Sequence, residues 1–381
     1  MRIRELEKNK KYQIEIVLGY LENKKKKRHY ETFYGTKQEA YLYEAELKIQ
    51  IKEGTFIQKR NMTFQKFSVE YLKLQKDVLA PKTYITYEQR IQVINKYIGH
   101  MKLENINAKV LEFFYGDLRK NYISTRKNTT LSPSTIQSFY AIINNMLNTA
   151  VKWDYIKTNV NEKIKKPKRA KVEIQYYTKE EVIQLLKCLE NESLKTQSLI
   201  RLALDLGCRR GELTGLTWDD IDLKTGKVTI NKVTQYANKK VYEKETKTEN
   251  SNRTNFISES TINVLKKYRQ EELEKQMRLG PKWIPTNRVF TGRFGGDLFP
   301  DYPTRMFYNL QKKYNLKRIS FHGLRHTHVS LMMLQGIPLP LISRKVGHSS
   351  SQITDTIYTH VHNEEFRAIA NAMQNVFVAA Q

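Results

Sequence analysis

GCRRGELTGL, residues 207–216, interrupts an otherwise helical run. TQSLIRLALDL ahead of it carries apolar residues at helical spacing, and Gly207 breaks the pattern. Arg209 stands at the break, with Glu212 three residues on and able to hold its guanidinium in place. Farther along, FHGLRHTHVS (321–330) puts His322 and Arg325 at i and i+3 on one face of a helix start. The helix LPLISRKV is followed by Gly347, a good residue to end it, and then by His348. Ten residues beyond His348 comes Tyr358, in IYTHV (357–361). Between the two groups, KETKTENSNR (244–253) holds Lys247 in a polar turn between strands.

Composition narrows what such a set of side chains could meet. The chain has 381 residues, too long for one ordinary core, so two or three domains are expected. It carries 66 Lys+Arg against 39 Asp+Glu, a formal net charge of +27. An imbalance of that size calls for a polyanion or a membrane surface. The charge is spread over every segment, not gathered in one tail. That distribution favours several domains touching one long anion, and duplex DNA fits best. The plainer alternative is a generally basic protein rich in Lys, Asn, Ile and Tyr. No stretch approaches the length of a membrane span, and MRIRELEKNKKYQ lacks the apolar segment of a signal peptide, so a cytoplasmic location is expected. Cys188 and Cys208 make neither a disulfide framework nor a metal cluster and are expected to be buried thiols. There is no Gly-rich phosphate loop and no dinucleotide fingerprint.

The fold class expected is multidomain α+β. Residues 1–56 read as a small three-stranded sheet plus a helix. KYQIEIVLGY and HYETFYG alternate as strands, and LENKKKKR between them reads as a turn with five consecutive basic residues, Lys24 to Arg28. Lys25, Lys26, Lys27 and Arg28 are therefore candidate DNA contacts, the alternative being a solvated hairpin tip. Thr36 and Glu39 form a capping box for the helix that Gly54 ends. GTFIQKRNM (54–62) reads as a linker. Residues 63–160 read as all helical, through FQKFSVEYLKLQ, TYEQRIQVINKYIG, NAKVLEFFYGDLRKNY and SPSTIQSFYAIINNMLNTAVKWDYI. Arg126 and Lys127, in a loop there, could touch phosphate. Residues 161–173 read as a basic linker containing KIKKPKRAK, six basic residues with no acid. Lys165, Lys166, Lys168 and Arg169 would make it a strap on phosphates between two domains. Residues 174–381 read as a mixed, mainly α domain with a small antiparallel sheet. It opens on a helix capped by Thr178 and Glu181, and GKVTINKVTQ and RTNFISES are its strands.

A phenol has a pKa near 10, so Tyr358 is a poor nucleophile near neutral pH without help. If the electrophile is a phosphodiester, negative charge spreads over its non-bridging oxygens in the transition state. Arginine matches those oxygens bidentately, and a departing 5′ oxygen needs a proton from lysine or histidine. The blocks quoted above supply such groups. The histidines also invite a metal reading, but no HExxH is present and no carboxylates cluster with them, so no metal or other cofactor is expected.

GCRRGE, a lysine in a strand-to-strand turn, HGLRH, VGHSS and IYTHV, in that order, resemble the catalytic signature of the tyrosine recombinases, in their phage and conjugative-element integrase branch. The likeness is strongest over 174–365. It implies an arm-type DNA-binding domain at 1–56, a core-binding domain at 63–160 and a catalytic domain at 174–381 with a C-terminal tail helix. Carried over residue by residue, it implies that Arg209, Lys247, His322, Arg325 and His348 form the site and that Tyr358 is the nucleophile. The glycine, any residue, arginine register picks Arg209 over Arg210, and the TKT context picks Lys247 over Lys244. The implied enzyme is a site-specific recombinase that integrates and excises a mobile element or prophage in a bacterial host. It would work through a 3′-phosphotyrosyl link, without metal or ATP. Implied partners are double-stranded attachment sites, a homotetramer on DNA with exchange of the tail helix (Phe366, Ile369, Ala370, Met373, Val376 and Phe377 on one face), a host bending protein and an excisionase. A chromosome-resolving housekeeping recombinase and a non-catalytic DNA-binding regulator are the alternatives. The extra N-terminal module argues against the first, and the intact catalytic set against the second.

Overall fold

The structure, a computed structural model, describes residues 2–8, 10–20, 25–53, 62–124, 129–168, 174–237, 240–245 and 252–347. The chain divides into two units, Met1–Lys171 and Val172–Gln381.

The first unit opens with strands β1 (Arg2–Glu7), β2 (Lys11–Tyr20) and β3 (Lys26–Tyr34), an antiparallel sheet in that order, followed by helix α1 (Lys37–Lys52). Alternation along β2 sends Tyr12, Ile14 and Ile16 to one face, where Ile14 and Ile16 cluster with Leu47 of α1. The expected capping box is present: the Thr36 hydroxyl accepts from the Glu39 N–H at 3.4 Å, and the Glu39 carboxylate accepts from the Thr36 N–H at 2.7 Å. The basic run differs from its reading as a turn. β2 is long enough to pair Tyr20 with Lys26 and Val17 with Arg28, so the run's second half is strand. Arg28 also forms an ion pair with Glu15 at 3.2 Å, which spends part of its charge within the sheet. Lys25 and Lys26 are exposed. Lys24 and the side chain of Lys27 lie outside the described residues, as does most of the linker at 54–62.

Helices α2 (Phe64–Val78), α3 (Pro81–Ile98), α4 (Ala108–Lys120) and α5 (Pro133–Lys152) follow, with short strands β4 (Ile123–Ser124) and β5 (Thr129–Thr130) between the last two. Thr63, Asn107 and Ser132 cap α2, α4 and α5 with their side-chain oxygens. Their apolar stripes meet in one core around Phe67, Ile94, Phe114, Ile143 and Leu147. That core extends past the expected boundary. Asn161 is fully buried, accepting from the Tyr115 hydroxyl at 2.7 Å, and Ile164 joins the apolar cluster. Lys163 is already exposed, and past the buried Ile164 the residues Lys165, Lys166 and Lys168 all face solvent. Arg126, Lys127 and Arg169 lie outside the described residues.

The second unit contains α6 (Lys179–Leu189), α7 (Leu194–Leu206), α8 (Arg210–Gly215), β6 (Lys227–Ile230), β7 (Lys232–Ala237), β8 (Lys240–Glu245), β9 (Arg253–Phe256), α9 (Glu259–Leu279), β10 (Thr291–Gly292), β11 (Gly295–Asp297), α10 (Tyr302–Lys313), α11 (Gly323–Leu334) and α12 (Leu339–Val346). GKVTINKVTQ is two strands, not one: β6 pairs with β9, and β7 pairs with β8, both antiparallel. β8 falls where a connection was expected, because alternation along KVYEKE lets it pair back along β7 from Ala237 opposite Lys240. RTNFISES is strand only to Phe256. Ser258 donates N–H and hydroxyl hydrogens to Asp205, and α9 starts one residue later. Among the described residues, no helix is long and apolar enough to cross a membrane.

The break at Gly207 is where this unit's helices meet. Gly207 ends α7 in the left-handed region, φ 55°. A Cβ there would sit 2.6 Å from His328 Cδ2 and 2.9 Å from Val346 Cγ1. His328, on α11, is buried, and its Nδ1 lies 2.6 Å from the Leu204 carbonyl oxygen at the end of α7. A carbonyl only accepts, so Nδ1 carries the hydrogen. Burial, with Lys345 nearby, pushes the His328 pKa down to about 4, and burial beside His322 and Arg325 does the same to His326.

Two outcomes follow from this junction. Gly207→Ala should lose about 2 kcal/mol or more of stability, through strain at positive φ and collision with His328, read by thermal or denaturant unfolding. His326 and His328 both have lowered pKa values in the fold, so the unfolded chain takes up protons first as pH falls from the ordinary 6.5. Stability should therefore be full above that value and drain away down to about 4. His328→Asn, which keeps a donor to Leu204, should flatten part of that slope in melting experiments; an unchanged slope would count against His328 as a source.

Candidate active site

The αL turn at Gly207 releases the backbone into an extended conformation at Arg209, the N-cap of α8, with φ −72° and ψ 150°. Glu212, at the third helical position, reaches back to it. Its Oε2 accepts from the Arg209 N–H at 2.8 Å and its Oε1 from Arg209 Nη1 at 2.9 Å. Arg209 is thus anchored along one edge while its side chain stays 41% exposed. Its neighbour Arg210 points elsewhere, to Asp301 at 2.7 Å and the Thr304 hydroxyl at 2.8 Å.

Arg209, Arg325 and Arg253 converge on the last carbonyls of α12. Arg209 Nη2 donates to the Gly347 oxygen at 3.0 Å, Arg325 Nη1 to the Val346 oxygen at 2.7 Å, and Arg253 Nε to the Lys345 oxygen at 2.8 Å. Asn255 adds a second bond to Lys345 at 3.0 Å. These carbonyls form the negative end of the helix dipole and have no partners within the helix, so they attract cations. Gly347 closes α12 in the left-handed conformation, φ 71°. Arg325 also donates to the Gly207 carbonyl at 2.9 Å, which ties α11 to the break before Arg209. Its Nη2 is buried with no hydrogen-bond partner among the described residues. Such a group is costly unless an acceptor arrives, which is the need an anionic oxygen would meet. Burial, then Arg209, lower the Arg325 pKa to about 10, so it remains a cation near neutral pH.

Glu212 is buried under this cluster. Burial alone would raise its pKa. The hydrogen bond and charge of Arg253, then the N–H and charge of Arg209, outweigh burial and hold the carboxyl below its usual range. Arg253 Nη2 lies 2.7 Å from Glu212 Oε2 with its side chain 5% exposed. Nothing in the sequence singled out Arg253. Its only signal is position, as the first residue of a strand just after the polar turn.

His322 precedes α11 and its ring packs edge-on against His326, with centroids 4.8 Å apart. Burial, then Arg325 and Arg209, lower its pKa, which favours the neutral imidazole. Cys208 is buried between Gly207 and Arg209, and burial pushes its thiol up to about 12; Cys188 is half-buried, and both are free. Of the six residues proposed for the site, the structure thus brings together Arg209, His322 and Arg325. Lys247, His348 and Tyr358 lie outside the described residues, as does the tail helix with Phe366, Ile369, Ala370, Met373, Val376 and Phe377. Among the described residues, no group of three or more His, Cys, Asp or Glu is placed to hold a metal ion.

Residues 175–365 match the model of the phage integrase family, and residues 63–166 match the phage integrase SAM-like domain. The chain is 27% identical over 389 residues to a XerC-like tyrosine recombinase of Caldanaerobacter subterraneus, covering 96% of each chain. It is 22% identical over 382 residues to the ICEBs1 integrase of Bacillus subtilis, covering 99% of this chain and 100% of the relative. Among solved structures, the Tn1549 transposon integrase in complex with transposon right end DNA superposes with a TM-score of 0.67. That match covers 81% of this chain and 100% of the other at 18% identity. A lambda integrase dimer bound to a COC′ core site superposes with a TM-score of 0.56 over 93% of each, also at 18% identity. Spanned over half its length by that family's model and built on the same fold, the chain belongs to the phage integrase family and is a tyrosine recombinase, a site-specific DNA recombination enzyme.

Proposed function

We propose that the chain cuts and rejoins duplex DNA through a 3′-phosphotyrosyl link made by Tyr358, with Arg209 and Arg325 holding the non-bridging oxygens of the scissile phosphate. The observation that carries this reading is the convergence of Arg209 and Arg325 on the end of α12, one residue before His348. Arg209 keeps an exposed edge and Arg325 an unspent N–H, so both can still donate to an anion. In this reading His348 adds a third donor. His322, favoured neutral by its surroundings, assists removal of the phenol proton, and Lys247 protonates the departing 5′ oxygen. The phosphotyrosyl link conserves the bond energy, and the 5′-hydroxyl of a partner duplex then attacks it. The products are rejoined strands and a free tyrosine.

The substrate proposed is an attachment site of a mobile element, bound by four copies of the chain that exchange tail helices. The helical domain and the exposed lysines at 165, 166 and 168 would grip the core site. The N-terminal sheet, with Lys25 and Lys26 exposed, would take a second kind of site. The charge of +27 supports such extended phosphate contact.

A nicked suicide duplex that traps the cleaved strand should give an SDS-stable protein–DNA adduct with the wild-type chain and none with Tyr358→Phe. Arg209→Ala and Arg325→Ala should bind that duplex within about threefold of wild type but form adduct about a hundredfold more slowly or worse. No wild-type adduct, or an equal one with Tyr358→Phe, would remove the reading. Adduct formation should also fall at acid pH as His322 takes up a proton. Because its pKa is lowered in the fold, that limb should lie below the ordinary histidine value of 6.5. Single-turnover rates across pH check this, and His322→Gln should abolish the limb.

A further inference from the structure

The second arginine on Glu212 has no part in the set of site residues above, and its contacts are too specific for a surface ion pair. Arg253 opens β9 with its side chain 5% exposed. It places Nη2 2.7 Å from Glu212 Oε2, Nη1 3.4 Å from Glu212 Oε1, and Nε 2.8 Å from the Lys345 carbonyl. The same carboxylate accepts two bonds from Arg209. One buried negative charge is therefore divided between a buried arginine and a half-exposed one.

That division matters for phosphate. Were Arg209 the only cation on Glu212, the pair would be close to neutral and Arg209 would present little net charge to an anion. With Arg253 supplying the first compensating charge, Glu212 keeps its geometric hold on Arg209 while Arg209's own charge stays largely unspent. Arg253 also fixes the end of α12 through Lys345, two residues before Gly347, where Arg209 docks.

We infer that Arg253 is a positioning residue for strand cleavage: by neutralising Glu212 and holding the end of α12, it keeps Arg209 both oriented and electropositive. It touches no substrate in this account. The inference rests on the phosphotyrosyl reading, and wild-type adduct formation in the same assay tests that reading separately.

The test uses the full chain with a nicked suicide duplex at saturating protein. Arg253→Gln should bind DNA within about threefold of wild type and form adduct at least about tenfold more slowly. Its rate should also acquire a second acid-side dependence, beyond the His322 limb of wild type, because Glu212, stripped of its main partner, protonates more readily. The double variant Glu212→Gln/Arg253→Gln should be no slower than Arg253→Gln and should lose that dependence, which a merely weakened fold would not do. Arg253→Lys keeps the charge but not the fork, and should fall by about threefold without the new pH dependence. A wild-type rate in Arg253→Gln, a loss confined to DNA affinity, or a pH profile parallel to wild type would each overturn the proposal. Should Arg253→Gln fail to fold, Arg253→Lys decides: a wild-type rate there overturns it. A readout without DNA stands beside these. The acid-side loss of melting temperature that comes from ionised Glu212 should be smaller in Arg253→Lys than in wild type, and an equal loss counts against the shared ion pair.

Discussion

Glu212 is a buried carboxylate, and the helices and strand around it in the second unit are placed so that it is satisfied. An isolated buried carboxylate would cost several kcal/mol and would take up a proton instead. Here a backbone N–H and two guanidinium groups surround it, drawn from the break after α7 and from the start of β9. Those arginines, joined by Arg325 from α11, in turn take the unpaired carbonyls at the end of α12. A charge that cannot be left alone thus brings four separate elements to one point. The point is net positive, with three arginines against one carboxylate.

Such a centre is organised before substrate arrives. Arg325 is locked by the Gly207 and Val346 carbonyls, so its remaining donor points in a fixed direction. Arg209 is held at Nη1 by Glu212 and at Nη2 by the Gly347 carbonyl, and its side chain is otherwise exposed. Groups fixed in this way need little reorganisation when charge develops on a bound phosphate, which is where electrostatic stabilisation gains most. The neighbouring histidines His322, His326 and His328 have lowered pKa values, which favours neutral rings beside the arginines. Neutral rings add bulk and orientation without more repulsion.

Much of this was legible in the residues. Gly207 and Gly347 announced helix ends because each supplies a left-handed residue, and the helices end there. Thr36 with Glu39 and Thr178 with Glu181 announced helix starts because their capping chemistry is local. The anchoring of Arg209 by Glu212 was readable for the same reason, being a contact within one helical turn. What escaped was long-range. Arg253 meets Glu212 across 41 positions in the chain, and no spacing rule reaches that far. β8 was missed because its pairing with β7, not its composition, makes it a strand. Asn161 and Ile164 were read within the linker at 161–173, and their burial in the helical core depends on distant helices that no local charge pattern shows. The arm-like lysine run was read as turn for a similar reason, since strand register decides where a hairpin ends.

Cys208 sits directly before Arg209, and burial holds its thiol near a pKa of about 12. Only a thiolate reacts readily with peroxide or alkylating agents, and access matters as much as ionisation. A sulfur buried beside the arginine cluster is therefore chemically quiet. Thiol-directed reagents would find little purchase on Cys208, next to Arg209.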